Sequence, residues 1–182
     1  MKNKFVKERL EGLTRDVHNW ELVKTSSLFK PESRKADVEI TASYFNAART
    51  LYKAVKQESH PDKGLSVMRM NSLIIPFLFL CRHSVELGIK ATLNNKKIKY
   101  SNIHNLRELF SKLNIEVDET YLDLMDTLDL IDDKGMWLRY DKDLKNKTEY
   151  LSSPYFVNSK EIINTTEKFL NFLIEEQQNY DE

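Results

Sequence analysis

Residues 76–93 read Pro-Phe-Leu-Phe-Leu-Cys-Arg-His-Ser-Val-Glu-Leu-Gly-Ile-Lys-Ala-Thr-Leu, apolar around most of a helix drawn through them. At about 100° per residue, Arg82, His83, Glu86 and Lys90 gather on one side of that helix. A helix that is apolar nearly all round belongs at the centre of a bundle, with other helices covering it. Ionisable groups placed there are costly unless they pair with one another or line a wet groove. The segment therefore constrains the fold and marks the first place to look for function. His104 and Arg139 are the downstream residues expected to join the stripe.

The flanking sequence supplies the covering helices. Residues 2–24 carry Phe5, Leu10, Leu13, Val17, Trp20 and Val23 at helix-like spacing, and 25–33, with Ser26, Ser27 and Pro31, reads as a connection. A long helix is expected over about 34–57, with Ala36, Ile40, Tyr44, Ala47, Ala48, Leu51 and Val55 inward, ended by the loop 58–64. The next helix starts within 65–75 and runs to about residue 94. Proline fits a first turn but kinks a helix interior. Either this helix begins near Leu73, or an earlier piece, 68–75, joins it at Pro76. Residues 103–113 form a short amphipathic helix, and Asp118 caps another through Ile131, with Tyr121, Leu122, Leu124, Met125 and Leu128 inward. Residues 132–154 read as a loop or short hairpin. A last helix spans about 158–179, capped by Ser159, burying Ile162, Ile163, Thr166, Phe169, Leu170, Leu173 and Ile174. With four glycines and four prolines the chain is too poor in turn residues for an all-β fold. The expected class is an all-α bundle of five or six helices, made of an N-terminal helix and connection (1–33) and a bundle (34–182).

Charge is balanced, 28 basic against 28 acidic residues, so there is no global pull toward nucleic acid or membrane, though a local basic groove is compatible with it. The single cysteine, Cys81, cannot make an internal disulfide and reads as a small core residue in a reducing compartment. The N-terminus lacks an apolar core of signal-peptide length. The longest apolar run, 73–81, falls well short of the roughly 20 residues of a membrane span. A soluble cytoplasmic protein without membrane contact is expected. There is no phosphate loop, dinucleotide glycine pattern, His-Glu-x-x-His or paired-cysteine site, and the four histidines are scattered, so neither metal nor cofactor is expected.

Each candidate residue has two readings. Arg82 with Glu86, and Glu86 with Lys90, are four apart and either form a ladder that only positions the helix or face a groove. His83 is a core or interface histidine, or a member of the site. His104, at a helix start, is a turn residue or a proton-transfer group working with Arg82 and Glu86. Lys90, Tyr140 and Lys142 are candidates for contact with RNA or a partner, although Asp141, Asp143 and Glu149 dilute the basic charge. The acidic run Asp118, Glu119, Asp123, Asp126, Asp129, Asp132, Asp133 reads as the wet face of one helix. Gly88, costing about 1 kcal/mol against alanine in mid-helix, points to a close crossing within the bundle or across a dimer.

Two motifs in order, Glu86-Leu-Gly-Ile-Lys-Ala-Thr-Leu93 and His104-Asn-Leu-Arg-Glu-Leu109, match the Glu-Leu-x-x-Lys-x-x-Leu and His-x-Leu-x-x-Leu helices of one family. The upstream Tyr44-Phe-Asn-Ala-Ala-Arg-Thr-Leu51 matches its first long helix. Over about residues 36–175 the chain resembles the HEPN superfamily, helical domains of prokaryotic toxins, defence proteins and RNA-processing enzymes. The resemblance implies a homodimer whose polar stripes face one groove. Active members use an arginine followed four to six residues later by a histidine. Arg139 is the best counterpart here, but no histidine follows it, and Arg49, Arg69 and Arg82 also fail the spacing. Two mechanisms are therefore carried forward. In one, the domain is a catalytically silent module binding RNA, a nucleotide or a partner protein. In the other it is a metal-independent ribonuclease, with Arg82 and Arg139 on phosphate, His104 or His83 moving protons and Glu86 orienting them. A purely structural helical protein is the third reading.

Overall fold

The apolar segment is the axis around which the other helices assemble. A computed structural model describes residues 34–58, 67–132 and 157–179. Five helices lie among them: α1, Arg34–Glu58; α2, Val67–Asn95; α3, Leu106–Ser111; α4, Glu119–Ile131; and α5, Ser159–Gln178. No strand occurs among the described residues, and the fold they form is all-α. The helix expected over 2–24, the connection expected over 25–33, the loop expected over 58–64 apart from its first residue, and the loop or hairpin expected over 132–154 apart from residue 132 lie outside the described residues.

Phe77, Leu78, Cys81, Val85, Ile89 and Leu93 of α2 are all buried. Helix α1 lies along α2 over the greatest length, α5 packs on both, and α3 and α4 close the remaining side. The core is completed by Phe45 and Ala48 from α1, Leu106, Leu109 and Phe110 from α3, Leu124, Met125 and Leu128 from α4, and Phe169, Leu170 and Leu173 from α5. Phe169 joins three elements, its ring 5.6 Å from Phe110 and 5.2 Å from Tyr121. Such pairs add about 0.5–1.5 kcal/mol each beyond the area they bury. The segment Ser72–Asn95 has the length and mean hydropathy (1.5) of a membrane span, yet half of it is buried by the bundle. It is the core helix, which passes the same test.

Several local expectations are corrected. Helix α2 runs unbroken through Pro76, which lies in its interior, so 68–75 is part of the same helix. Helix α1 buries Thr41 and Phe45, while Ala47 is exposed. Asn158, whose side chain accepts from the Glu161 N–H, caps α5 in place of Ser159. Ile174 is 36% exposed on the rim of the bundle. Helix α3 is shorter than 103–113 because Asn105 caps it, accepting from the Glu108 N–H at 2.8 Å.

Helix α2 ends in a left-handed turn. Lys97 has φ 57°, the Ile98 N–H reaches back to the Leu93 carbonyl at 2.9 Å, and the Lys97 N–H bonds the Asn94 carbonyl at 3.1 Å. This is the paired bonding that glycine usually serves, with the following apolar residue, Ile98, packed on the core. A lysine there bears left-handed strain of roughly 1–2 kcal/mol. Lys97→Gly is accordingly expected to raise stability by about 1 kcal/mol, measured by urea denaturation.

Gly88 marks a crossing inside the bundle. A Cβ at this position would lie 2.8 Å from Leu170 Cδ2 and 3.2 Å from Leu173 Cδ1 of α5, and 3.6 Å from Thr41 Cγ2 of α1. Leucine termini can yield slightly to a methyl group, whereas a branched side chain would have to displace α5. Gly88→Val is expected to lower stability by about 1–3 kcal/mol, with Gly88→Ala well below that in the same thermal-unfolding series.

Candidate functional site

The polar stripe of α2 is closed off by α3 and α4. Arg82, only 1% exposed, sits at the centre. Its Nη1 donates to Glu86 Oε2 at 3.0 Å, one turn along α2. Its Nη2 donates to the backbone carbonyl of His104 at 2.6 Å and to Asp129 Oδ1 of α4 at 3.3 Å. The flat guanidinium fork lets one side chain span three acceptors on three segments.

Asp129 carries the second half of the arrangement. Its Oδ2 accepts the N–H groups of Leu106 at 2.8 Å and Arg107 at 3.2 Å, the first two residues of α3. With Asn105 taking the Glu108 N–H, the first three amides of α3 are all satisfied by side chains. Asp129 also places a negative charge at the positive end of that short helix. A more exposed pair, Arg107 Nη1 to Asp126 Oδ2 at 3.0 Å, adds a second link from α3 to α4. Burial pushes the Asp129 carboxyl up to about 6, against the opposing pull of the two amides and Arg82.

Glu86 faces two ways. Oε2 meets Arg82, while Oε1 accepts from Lys90 Nζ at 2.5 Å and lies 3.1 Å from His104 Nδ1. Burial raises its pKa, but the Lys90 ammonium, Arg82 and His104 together outweigh burial and hold the carboxyl below its ordinary range. An ionised carboxylate can only accept, so Nδ1 is the protonated nitrogen that faces it. The His104 side chain is 52% exposed. The accessible edge of the network is thus the imidazole of His104 with the Lys90 ammonium beside it. Arg82 lies beneath, committed to the fold.

The structure brings Arg82, Glu86, Lys90 and His104 together as the stripe implied. It sets His83 against α1 instead, where its ring meets Tyr44 edge-on at 4.6 Å and stacks on Phe79 at 5.5 Å. Arg139, Tyr140 and Lys142 lie outside the described residues. The assignment of the acidic run to a wet face is corrected at two positions, since Asp129 is 8% exposed and Asp132 is fully buried. Asp129 follows Met125 by four residues, and Asp132 follows Leu128 by four. The inward stripe of α4 therefore predicts both on the buried side, and that periodicity was the signal for the missing member of the network. Among the described residues no group of three His, Cys, Asp or Glu side chains is placed to hold a metal ion. Cys81 is buried beside Thr166, and burial lifts its thiol to about 12, which removes it as a nucleophile at neutral pH.

A family model described as the HEPN domain matches residues 76–177, more than half of the chain. The chain belongs to the HEPN family. The match opens at Pro76 within α2 and takes in the Arg82 network and all of α3 and α4. No curated protein and no solved structure matches the chain. In this HEPN domain the two motif helices are joined by the network itself: Glu86 and Lys90 come from the first motif, His104 from the second, and Arg82 holds the start of the second against the first.

Proposed function

We propose that this HEPN chain is a non-cleaving binding module, working as a homodimer in prokaryotic defence or toxin–antitoxin biology and engaging RNA or a partner protein. One observation carries the non-cleaving part. The arginine of the stripe is buried, with both terminal nitrogens bonded to protein acceptors, so the Arg82 guanidinium is committed to the fold and does not face a phosphate. The absence of the family's arginine-to-histidine spacing points the same way. On this reading Arg82, Glu86 and Asp129 shape the surface, and Lys90 and His104 form the part a ligand meets, with Tyr140 and Lys142 as further contacts.

The ribonuclease reading keeps one observation in its favour. His104 is a half-exposed imidazole held by a buried carboxylate, an arrangement suited to proton transfer. The deciding experiment is incubation of the purified chain with mixed cellular RNA in EDTA, beside His104→Ala and Lys90→Ala. No cleavage by any of the three is expected. Cleavage by the wild type that disappears in His104→Ala would overturn the proposal in favour of a metal-independent nuclease. Sedimentation of the wild type tests the dimer, with a single monomeric species counting against it.

A further inference from the structure

The connection from α2 to α3, residues 96–105, is basic: it carries Lys96, Lys97, Lys99 and His104 and no acidic residue. Lys96 is paired with Glu176 at 2.9 Å, while Lys97 and Lys99 are exposed. His104, near the end of the connection, is held at two points. Arg82 Nη2 donates to its carbonyl at 2.6 Å, and Glu86 Oε1 lies 3.1 Å from its Nδ1. Burial raises the Glu86 carboxyl, but Lys90, Arg82 and His104 outweigh burial, so the group facing Nδ1 is an ionised carboxylate. In the neutral ring the hydrogen is then on Nδ1 and the lone pair on Nε2. Nε2 lies across the ring from that contact and has no hydrogen-bond partner among the described residues. The side chain is half-exposed. Lys90 Nζ bonds the same Glu86 oxygen at 2.5 Å, so an ammonium stands beside the imidazole.

A nucleophilic nitrogen with a free lone pair, a carboxylate behind its ring and nearby cations are the parts of a phosphoryl-accepting site. We propose that His104 Nε2 accepts a phosphoryl group from a small acyl phosphate. The Nε2 lone pair forms the N–P bond as the P–O bond to the acyl group breaks, and that bond's electron pair leaves on the carboxylate product. Nδ1 keeps its hydrogen, so the phosphorylated ring is cationic, and the Glu86 carboxylate offsets the charge across the Nδ1–H contact. A carboxylate departs without a proton, which suits a ring whose one N–H is committed to Glu86. The alkoxide of a phosphate ester would need one. Lys90, and Lys97 and Lys99 of the connection, favour the approach of a doubly charged donor. Glu86 and Arg82 are positioning residues, one acting on the ring and the other on its backbone. The step needs neither RNA nor a partner protein, so it stands apart from the binding function proposed above.

The test is incubation of the full-length chain with acetyl phosphate at mildly alkaline pH, with the gain of phosphoryl groups followed by intact mass and located by peptide fragmentation. The other three histidines, His18, His60 and His83, are internal controls. One phosphoryl group is expected on His104, and phosphorus NMR is expected to show the Nε2 isomer. His104→Gln, a change at a half-exposed side chain, is expected to lose the modification and keep the helical circular dichroism. Glu86→Gln is expected to slow the reaction at His104 by about tenfold or more, the usual worth of a charge-assisted hydrogen bond, and to leave the other histidines unchanged. If Glu86→Gln does not fold, the isomer formed on the wild type decides, because only a ring held at Nδ1 is confined to Nε2. No phosphoryl gain overturns the proposal, and acetyl transfer to lysine counts as no gain. Phosphorylation spread over the four histidines at similar rates, the Nδ1 isomer on His104, or a folded Glu86→Gln that reacts like the wild type also overturns it.

Discussion

Arg82→Met is expected to lower the stability of the fold by about 3–5 kcal/mol, the usual result of removing one partner from a buried ionic group. Methionine keeps the apolar stem of the arginine but ends two atoms short of its terminal nitrogens, so the packing around the stem is largely retained. What is lost is the donor set. The His104 carbonyl loses its partner, Glu86 keeps only Lys90 and His104, and Asp129 is left with the two α3 amides. Arg82→Lys is expected to recover little, because one ammonium cannot reach Glu86, His104 and Asp129 from a single stem. Urea denaturation at neutral pH measures both. A loss under 1 kcal/mol in Arg82→Met would show that packing alone holds α3 in place.

Asp129→Ala is expected to cost a similar amount, about 3–5 kcal/mol, for a complementary reason. It strips the acceptors from the first two amides of α3 and leaves one terminal nitrogen of a buried arginine short of a partner. Its pH signature separates it from Arg82. The Asp129 carboxyl titrates at about 6 in the folded chain, above its ordinary value of 3.8. Between those values the folded state holds a proton that the unfolded state has released, so stability falls as pH rises from about 4 to about 6. Glu86 acts in the opposite sense. Its folded value is lowered from 4.5, so its contribution is present above that value and is lost as pH falls through the folded value. Asp129→Asn should flatten the decline between pH 4 and 6 without altering the acid limb due to Glu86. A decline that persists in Asp129→Asn would assign it to another group. Because both variants act on one network, the Arg82→Met/Asp129→Ala double variant is expected to lose less than the sum of the two single losses.

The sequence showed most of the helices and only part of the network. Glu86 and Lys90 were legible because a four-residue spacing fixes who meets whom on one helix, and α4 was legible from Asp118 to Ile131 for the same reason. The contacts that decide the site join different helices, and periodicity does not say which acceptor a guanidinium finds 47 residues away. Asp129 was hidden by its acidic neighbours. Composition reads Asp118 to Asp133 as one solvated face, whereas the register of Met125 and Leu128 turns Asp129 and Asp132 inward. His83 shows the converse failure. One residue from Arg82, it falls beside the stripe on a helical projection, but Tyr44 on α1 offers its ring a better contact.

The six-residue length of α3 has a consequence for how the chain folds and breathes. A helix of under two turns does not nucleate on its own, since isolated helices shorter than about 12–15 residues are marginal in water. Its amides find acceptors only after the middle of α2 and the last turns of α4 have met, so the α3 segment is a late event in folding and an early one in opening. Amide hydrogens of residues 106–108 should then exchange together, at a rate set by separation of the Arg82–Asp129 contact. Any molecule that grips His104 in its folded position would slow all three at once, and the exchange of this one turn would report occupancy without a label.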